Sequence, residues 1–253
     1  NQTALMFVYY LIIRWKELGK INGKEYIVKT IVTTETIKTI AERNGVEMYD
    51  VYTGFKWIAN VMRENEGKKN YIGGGEESYG FLCEDFVRDK DAVSACVILA
   101  EIAAWAKDQG LSLYQLLQKI YVEYGFSKEK GISVVKKGKS GAEEIEAMMK
   151  KFRENPLTEI AGSMVTYFYD YSTLKGKDYA ENETVTLDMP TTSNVLQYFT
   201  EDNTKVSIRP SGTEPKIKFY CEVHSKVKSI DELPEAEKAA EEKINQIKAS
   251  LGI

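Results

Sequence analysis

The chain has 253 residues, of which 43% are hydrophobic and 28% charged, and its formal net charge at pH 7 is -4. This length accommodates two ordinary domains, each with its own core, and the composition is typical of a soluble globular protein. The acidic balance argues against a general nucleic-acid-binding protein, so any anion-binding site must be local.

The first half of the chain predicts an alternation of helices and strands. Apolar periodicity and the cap and turn residues indicate a helix at 3–18, a strand at 25–32, a helix at 34–43, a strand at 46–51, a helix at 54–63, a strand ending at 71–72, and helices at 91–107 and 113–124. This alternation is typical of βαβ units and predicts an α/β fold, a mainly parallel sheet with helices on both faces. Residues 91–107 are apolar nearly all round, so we expect this helix to be buried.

The second half of the chain predicts a run of strands with only two helices. We expect a helix from about residue 140 that ends before Pro156, a helix from about residue 233, an irregular segment at 175–194, and strands at 127–135, 164–171, 195–200, 204–209 and 215–223. This pattern indicates an α+β fold, an antiparallel sheet with helices on one side. We place the boundary near residue 125, so the predicted domains span 1–124 and 125–253.

The cysteines and the apolar stretches indicate where the protein works. Cys83, Cys96 and Cys221 have no metal-binding spacing. Cys96 and Cys221 lie among apolar residues and are expected to be packed, whereas Cys83, near a glycine-rich loop, could be exposed. This pattern suits a reducing cytoplasm. The apolar stretches 4–13 and 92–106 are too short for a membrane span, so we expect no membrane partner.

A glycine-rich loop follows the predicted strand at 71–72. It begins with three glycines at 73–75 and continues with Glu76, Glu77 and Ser78. Ligands of α/β proteins usually bind where such strands end. Two carboxylates would repel phosphate, but carboxylates and a hydroxyl suit the hydroxyl groups of a sugar. From the residues alone, a turn with solvated glutamates remains the alternative interpretation.

A second loop, Arg209-Pro-Ser-Gly-Thr-Glu-Pro215, lies where two strands of alternating apolar and polar residues meet. Its arginine has a planar fork that can bind two phosphate oxygens. Ser211 and Thr213 supply hydroxyl donors, and Gly212 allows backbone N–H groups to point at an anion. These features favour phosphate binding, and a tight turn with a surface arginine stays open as the alternative.

Both loops resemble motifs of the α-D-phosphohexomutase family. RPSGTEPKIKFY at 209–220 is similar to the phosphate-binding loop of the family's last domain, GGEESYG at 74–80 to its sugar-binding loop, and FVRDKDA at 86–92 follows at the family's spacing. The form is most similar to the branch of phosphoglucomutases and phosphopentomutases. The phosphomannomutase and phosphoglucosamine mutase branches usually carry a histidine where this chain has Gly80. The family has four domains, and this chain resembles the third and fourth.

The resemblance implies roles for individual residues. Glu76 and Ser78 would hold sugar hydroxyls, and Lys29 would be a further substrate contact. Lys90 would act as a general acid or base or contact phosphate. For Lys56, a substrate contact and a structural role both stay open. The implied phosphate ligands are Arg209, Ser211, Gly212 and Thr213.

The resemblance also implies what this chain does not supply. The family's phosphoryl-carrying serine and its Asp-x-Asp-x-Asp Mg²⁺ loop belong to its first two domains, and neither motif occurs here. We therefore expect no metal ligands in this chain, no turnover by it alone, and the missing N-terminal domains of the same chain as partners. Mg²⁺ and glucose 1,6-bisphosphate would be cofactors of the full-length enzyme.

The expected activity is that of a phosphoglucomutase-like isomerase that interconverts glucose 1-phosphate and glucose 6-phosphate through a phosphoserine. Three alternatives remain open. The first is a phosphopentomutase or phosphomannomutase, and the second is a non-catalytic phosphosugar-binding module. The third is a structural protein with two incidental loops.

Overall fold

The structure is a computed structural model that describes residues 1–136, 138–212 and 214–253. The chain forms two compact units: Asn1–Phe126 with Lys226–Leu233, and Ser127–Ser225 with Pro234–Ile253. The predicted domains were continuous and did not include the return of 226–233 to the first unit. This return occurs because the 3-10 helix Ile230–Glu232 contacts the last helix of the first unit.

The first unit alternates helices and strands along the chain. Its elements are α1 (Gln2–Glu17), β1 (Glu25–Thr30), α2 (Thr36–Arg43), β2 (Glu47–Val51), α3 (Phe55–Asn65), β3 (Asn70–Gly75), β4 (Phe81–Cys83), α4 (Ala92–Asp108) and α5 (Leu113–Tyr124). The sheet has the order β2-β1-β3-β4. Strands β2, β1 and β3 are parallel, and β4 is antiparallel to β3. The predicted α/β fold with a mainly parallel sheet is confirmed.

The central strand β1 is buried along its whole length, as expected of a parallel strand covered on both faces. Tyr26 and Val28 of β1 pack in one hydrophobic cluster with Phe55 and Ile58 of α3 and Leu82 of β4. Helix α1 contributes a continuous buried run over residues 4–12. Because the parallel strands share a direction, the loops after β1, β2 and β3 gather at one edge of the sheet.

The prediction that helix α4 is buried all round is wrong. Only Ile102 and Ala106 are buried, whereas Val93 and Val97 are 74% and 61% exposed. The helix contacts α1, β4 and α5, and these contacts leave much of its apolar surface exposed. The expectation for two cysteines is reversed as well, because Cys96 of α4 is exposed and Cys83 of β4 is buried.

The second unit is a sheet with two long helices. Its elements are β5 (Phe126–Val135), α6 (Gly138–Glu154), β6 (Glu159–Ile160), β7 (Ser163–Asp170), β8 (Lys175–Asp178), β9 (Glu183–Thr186), β10 (Leu196–Thr200), β11 (Lys205–Pro210), β12 (Lys216–Ser225) and α7 (Leu233–Leu251). The sheet has the order β5-β12-β11-β10-β7-β8-β9, with β6 paired to β7. The strand pairs from β12 to β9 are antiparallel. The predicted α+β fold is confirmed.

The segment at 175–194, predicted to be irregular, contains the hairpin of β8 and β9. Lys175 pairs with Thr186 and Asp178 with Glu183 at the edge of the sheet. Strand β9 is exposed or half-buried throughout. It therefore lacks the alternation of apolar residues by which a half-buried strand is recognised in sequence.

A buried group of charges crosses strands β11 and β12. Lys205 and Glu222 are directly opposite in the ladder and almost fully buried, with Nζ 3.0 Å from Oε2. The other carboxylate oxygen, Oε1, lies 2.7 Å from Nε2 of His224. Burial opposes the charge of Glu222, but the Lys205 ammonium and His224 hold the pKa of this carboxyl well below its usual range. Burial also opposes the charge of His224 and by itself would lower its pKa. The hydrogen bond to Glu222 outweighs this effect, so the pKa of His224 is raised above its usual value.

Within the described parts of the chain, no helix combines the length and apolar character that crossing a membrane requires.

Candidate functional site

Three loops meet at the carboxyl edge of the parallel sheet, after Thr30, Val51 and Gly75. The loop after β3, residues 76–80, contains two of the three predicted sugar ligands, Glu76 and Ser78, and closes the hairpin to β4. This is the edge at which ligands of open α/β sheets bind. The topology therefore places the predicted loop in a position suited to ligand binding.

Glu76 is held in place by its own loop and by the loop that precedes α3. Its backbone N–H donates to the carbonyl of Gly80 at 2.7 Å, and its Oε1 accepts a hydrogen bond from the Gly54 N–H, also at 2.7 Å. Gly54 precedes α3 with φ of 114°, a conformation that favours glycine. The carboxylate is thus fixed across the cluster of loops, and no feature of the sequence predicted this bond.

The glycines around Glu76 are required by close approach of the backbone. A Cβ on Gly74 would lie 1.9 Å from the carbonyl oxygen of Val28, and one on Gly75 would lie 2.1 Å from that of Gly80. These glycines belong to strand β3, so the strand runs beyond the end at 71–72 predicted from the sequence. Their role is to let β1 and the loop at 76–80 pack closely against β3.

The tip of the same loop faces solvent. Ser78 and Tyr79 are exposed, and Tyr79 adopts φ of 64°, which is uncommon for a residue with a side chain. Next to the tip, Glu77 Oε2 lies 3.4 Å from the Thr30 hydroxyl, which donates to it. The hydroxyl of Ser78 is therefore accessible to a ligand.

Lys90 lies beside this loop. Its side chain is 54% exposed, with Nζ 3.3 Å from Asp89 Oδ1 and 5.9 Å from the centre of the Phe55 ring. A Cβ on Gly80 would lie 3.2 Å both from the Lys90 side chain and from Glu76 Oε2. The structure thus brings Glu76, Ser78 and Lys90 into one group of loops. Their roles stay predictions.

Lys29 is buried, unlike Lys90. It is 1% exposed, and its Nζ lies 2.8 Å from Glu35 Oε1 and 2.7 Å from Asp50 Oδ1. These ion pairs tie β1 to β2 and to the turn before α2, which is a structural role. The prediction that Lys29 contacts substrate is not tested, but its ammonium already has two carboxylate partners.

In the second unit, the predicted phosphate loop connects β11 to β12. The Ser211 N–H donates to the Lys216 carbonyl at 2.8 Å, and the Ser211 hydroxyl accepts from the Glu214 N–H at 3.3 Å. Gly212 is exposed. Thr213, the fourth predicted phosphate ligand, lies outside the described residues. The ends of β11 and β12 thus hold Ser211 and Gly212 at a hairpin tip that is accessible to solvent.

Arg209 projects from the sheet face opposite to helix α6. It pairs across the ladder with Lys218, so the two cations share a face. The preceding pair, Ile208 and Phe219, is fully buried on the other face, where Phe219 contacts Phe152 of α6. Lys218 is a candidate anion ligand that sequence reasoning missed. The signal was present, since residues directly opposite in an antiparallel pair lie on the same face.

A groove of about 500 Å³ lies between α6 and the phosphate loop. Its apolar residues include Ile145 and Met149, and Ser211 and Pro215 line the loop side. Arg153 at its rim bonds through Nε to Asp170 Oδ2 at 3.0 Å. The groove was not predicted, and it lies on the sheet face away from Arg209.

Metal ligands and reactive thiols are the remaining candidates for chemistry in this chain. No group of three or more His, Cys, Asp or Glu side chains in the described ranges is arranged to hold a metal ion. Burial raises the pKa of Cys83 and that of Cys221 to about 12, which keeps both thiols protonated. Neither thiol has the properties of a nucleophile.

Comparison with protein families identifies both units. Residues 1–124 match the family described as phosphoglucomutase/phosphomannomutase, alpha/beta/alpha domain III. Residues 133–240 match the one described as phosphoglucomutase/phosphomannomutase, C-terminal domain. The architecture is therefore that of a phosphohexomutase in its last two domains. The chain belongs to the phosphoglucomutase/phosphomannomutase family, which confirms the resemblance of its two loops.

Individual relatives agree with this assignment. The chain is 33% identical over 224 residues to a phosphoglucomutase of Staphylococcus haemolyticus, covering 88% of this chain and 40% of the relative. It is 37% identical over 220 residues to one of Staphylococcus aureus, covering 87% and 39%. The crystal structure of parafusin, a phosphoglucomutase from Paramecium, matches the fold with a TM-score of 0.57 at 17% identity, covering 90% of this chain and 37% of that one. The chain spans about 40% of the length of the curated relatives it matches.

Proposed function

We propose that this chain is the substrate-binding half of a phosphoglucomutase-like enzyme that interconverts glucose 1-phosphate and glucose 6-phosphate. The observation that carries the proposal is the convergence of Glu76, Ser78 and Lys90 at the carboxyl edge of the first sheet. The names of the staphylococcal relatives support glucose as the sugar. The open tip at Ser211, with Arg209 and Lys218 on one face, supports phosphate binding in the second unit.

In this proposal the chain binds and orients a phosphosugar. Glu76 accepts hydrogen bonds from sugar hydroxyls, and its orientation is fixed in advance by the Gly54 N–H. Ser78 both donates and accepts, so the pair can hold a sugar in either of two orientations. A mutase that moves phosphate between C1 and C6 through a 1,6-bisphosphate requires such tolerance.

The phosphate loop binds the phosphate that is not reacting. The Arg209 guanidinium can donate two parallel hydrogen bonds to it, and Ser211, Gly212 and Thr213 complete the proposed contacts. This remote binding energy positions the sugar for the reacting end. Lys90, exposed beside Glu76, supplies a cation to the phosphate or exchanges a proton with a sugar oxygen.

The phosphoryl-carrying serine and the Mg²⁺ site are assigned to domains outside this chain. When bound, the metal ion neutralises charge on the transferring phosphoryl group. Because the sequence contains neither motif, we expect this chain to bind phosphosugars and not to turn them over. Cytoplasmic location remains part of the proposal.

The test is the substitution Arg209→Ala in the full-length protein, assayed for conversion of glucose 1-phosphate. A charge-assisted hydrogen-bond pair contributes about 1.5–3 kcal/mol, so kcat/KM should fall roughly 10- to 100-fold. Arg63→Ala, which removes an exposed arginine of α3, is the matched control and should leave kcat/KM unchanged. Unaltered kinetics of Arg209→Ala would contradict the proposed role.

Two further measurements separate the alternatives. Competition between hexose and pentose 1-phosphates on the full-length enzyme distinguishes a phosphoglucomutase from a phosphopentomutase, and mannose 1-phosphate distinguishes a phosphomannomutase. The intact mass of the native protein distinguishes a mutase from a binding module. A mass near 28.7 kDa would contradict the self-contained mutase.

A further inference from the structure

The second carboxylate of the loop at 76–80 has a partner of its own. Glu77 is half-buried, and its Oε2 accepts a hydrogen bond of 3.4 Å from the hydroxyl of Thr30, the last residue of β1. Lys29 of β1 pairs with Gly75 of β3, so the ladder places Thr30 beside the start of the loop. The loop is therefore tied to the end of the central strand.

The Thr30 hydroxyl belongs to a short relay of hydrogen bonds. It lies 2.8 Å from the Thr33 hydroxyl, and both threonines are fully buried. A hydroxyl has one proton and an ionised carboxylate only accepts, so Thr30 donates to Glu77 and Thr33 donates to Thr30. Removal of the carboxylate would therefore leave a buried hydroxyl without its acceptor, which costs free energy.

We propose that Glu77 is a positioning residue that fixes the loop at 76–80 to the end of β1 through the Thr30 hydroxyl. This bond engages one carboxylate oxygen of Glu77, and the next residue, Ser78, is exposed at the tip of the loop. Glu77 thus acts on the sugar through the position it gives to Ser78. The inference rests on the proposed function in one respect, which is that Ser78 contacts a sugar.

Two anchors explain how an exposed tip can have a fixed position. Glu76 is held by the Gly54 N–H, which follows β2, and Glu77 is held by Thr30 at the end of β1. Because the anchors lie on different strands, the loop cannot turn about either of them alone. A contact that is fixed before the ligand arrives lowers the entropic cost of binding. Without the Thr30 anchor, Ser78 would keep its hydroxyl, but the sugar would have to order the loop.

The alternative is that Glu77 contacts the sugar directly, and the two roles respond differently to substitution. A positioning role depends on Thr30 as much as on Glu77, and it needs an acceptor oxygen but not a charge. A direct contact is independent of Thr30. The substitutions Thr30→Val and Glu77→Met therefore separate the two roles.

The first experiment measures KM for glucose 1-phosphate and the inhibition constant of inorganic phosphate in the full-length protein. A hydrogen bond to a charged group contributes about 10- to 100-fold, and at 3.4 Å we expect the lower end, a rise in KM of about 10-fold in Thr30→Val and in Glu77→Met. The double variant should show the same rise, because both substitutions remove one bond. Inorganic phosphate has no sugar hydroxyl, so its inhibition constant should stay constant.

Three variants serve as controls. Thr30→Ser and Glu77→Gln keep a donor and an acceptor, so their KM should stay within about threefold of the parent. Glu84→Met removes an exposed carboxylate just after β4 and should leave KM unchanged. A raised KM in Glu77→Met but not in Thr30→Val would overturn the proposal in favour of a direct contact. Effects that multiply in the double variant would also overturn it.

Hydrogen–deuterium exchange of the same proteins tests the anchor without turnover. The amides of residues 76–80 should exchange at least about threefold faster in Thr30→Val and in Glu77→Met than in the parent. If Thr30→Val does not fold, the comparison of Glu77→Met with Glu77→Gln gives the same information. Unchanged exchange would refute the anchor whether or not the parent converts glucose 1-phosphate, whereas a lack of that conversion would count against the proposed function alone.

Discussion

Replacing Lys205 by methionine should cause a large loss of stability confined to the second unit. The substitution keeps the length of the side chain but removes the ammonium that lies 3.0 Å from Glu222 Oε2. Glu222 is 3% exposed, so its carboxylate would remain in the interior without this cation. Breaking a buried ion pair from one side costs about 3–5 kcal/mol. We expect the lower end of this range, because His224 still contacts Oε1.

The reasoning also predicts the outcome of removing both charges. Apolar replacements of a buried ion pair are often neutral, since neither charge then has to be desolvated. The double variant Lys205→Met/Glu222→Leu should therefore be within about 2 kcal/mol of the parent, closer than the single variant. The part not recovered is the hydrogen bond that His224 loses.

Urea denaturation can resolve the two units separately. Trp15, Trp57 and Trp105, the only tryptophans of the chain, all belong to the first unit, and its only histidine, His224, belongs to the second. Tryptophan fluorescence and the imidazole NMR signal therefore report different units. For Lys205→Met, the NMR midpoint should fall by roughly 1–3 M urea while the fluorescence midpoint stays constant. A shift under about 0.5 M, or a double variant as unstable as the single one, would refute this account.

Two further predictions concern pH and a glycine. Burial lowers the pKa of His224, but Glu222 raises it by more, so the folded pKa lies above the unfolded value of about 6.5. The stabilising contribution of His224 is therefore complete below a pH of about 6.5 and is lost as pH rises through the folded pKa. An NMR titration of the imidazole should give a midpoint above 6.5, and a midpoint at or below this value would contradict the geometry. Gly54→Ala should cost about 1–3 kcal/mol, because φ of 114° strains a residue with a side chain, and should weaken phosphosugar binding through Glu76. Gly131→Ala, where a Cβ meets nothing within 4 Å, is the matched control, and equal effects of the two substitutions would exclude the strain argument.

Much of the fold could be predicted because its signals are local. The alternation of apolar residues around Ile208 and Phe219 identifies strands that are buried on one face, and the order of helices and strands identifies a parallel sheet. The hairpin of β8 and β9 escaped prediction because its outer strand is buried on neither face. The exposure of α4 could not be predicted from its composition. Composition shows which side chains are apolar, whereas burial depends on what packs against them.

In the candidate site, too, features set by neighbouring residues could be predicted, and contacts between residues distant in sequence could not. The convergence of Glu76 and Ser78 at a sheet edge could be predicted, since parallel strands end together. The bond from Gly54 to Glu76 could not, because every residue except proline has a backbone N–H and the sequence does not show which one points at a carboxylate. The two carboxylate partners of Lys29 are likewise distant along the chain from one another, and only the folded sheet shows them together.

The return of residues 226–233 to the first unit affects how the protein can be divided. The backbone passes between the two units three times, after Phe126, after Ser225 and after Leu233. A gene truncated after residue 126 would encode a first unit without Val227 and Leu233, which are both buried. A single recombination event therefore cannot exchange either unit as a complete piece. Domain swaps with relatives should instead transfer 127–225 and 234–253 together and leave the eight intervening residues with their host.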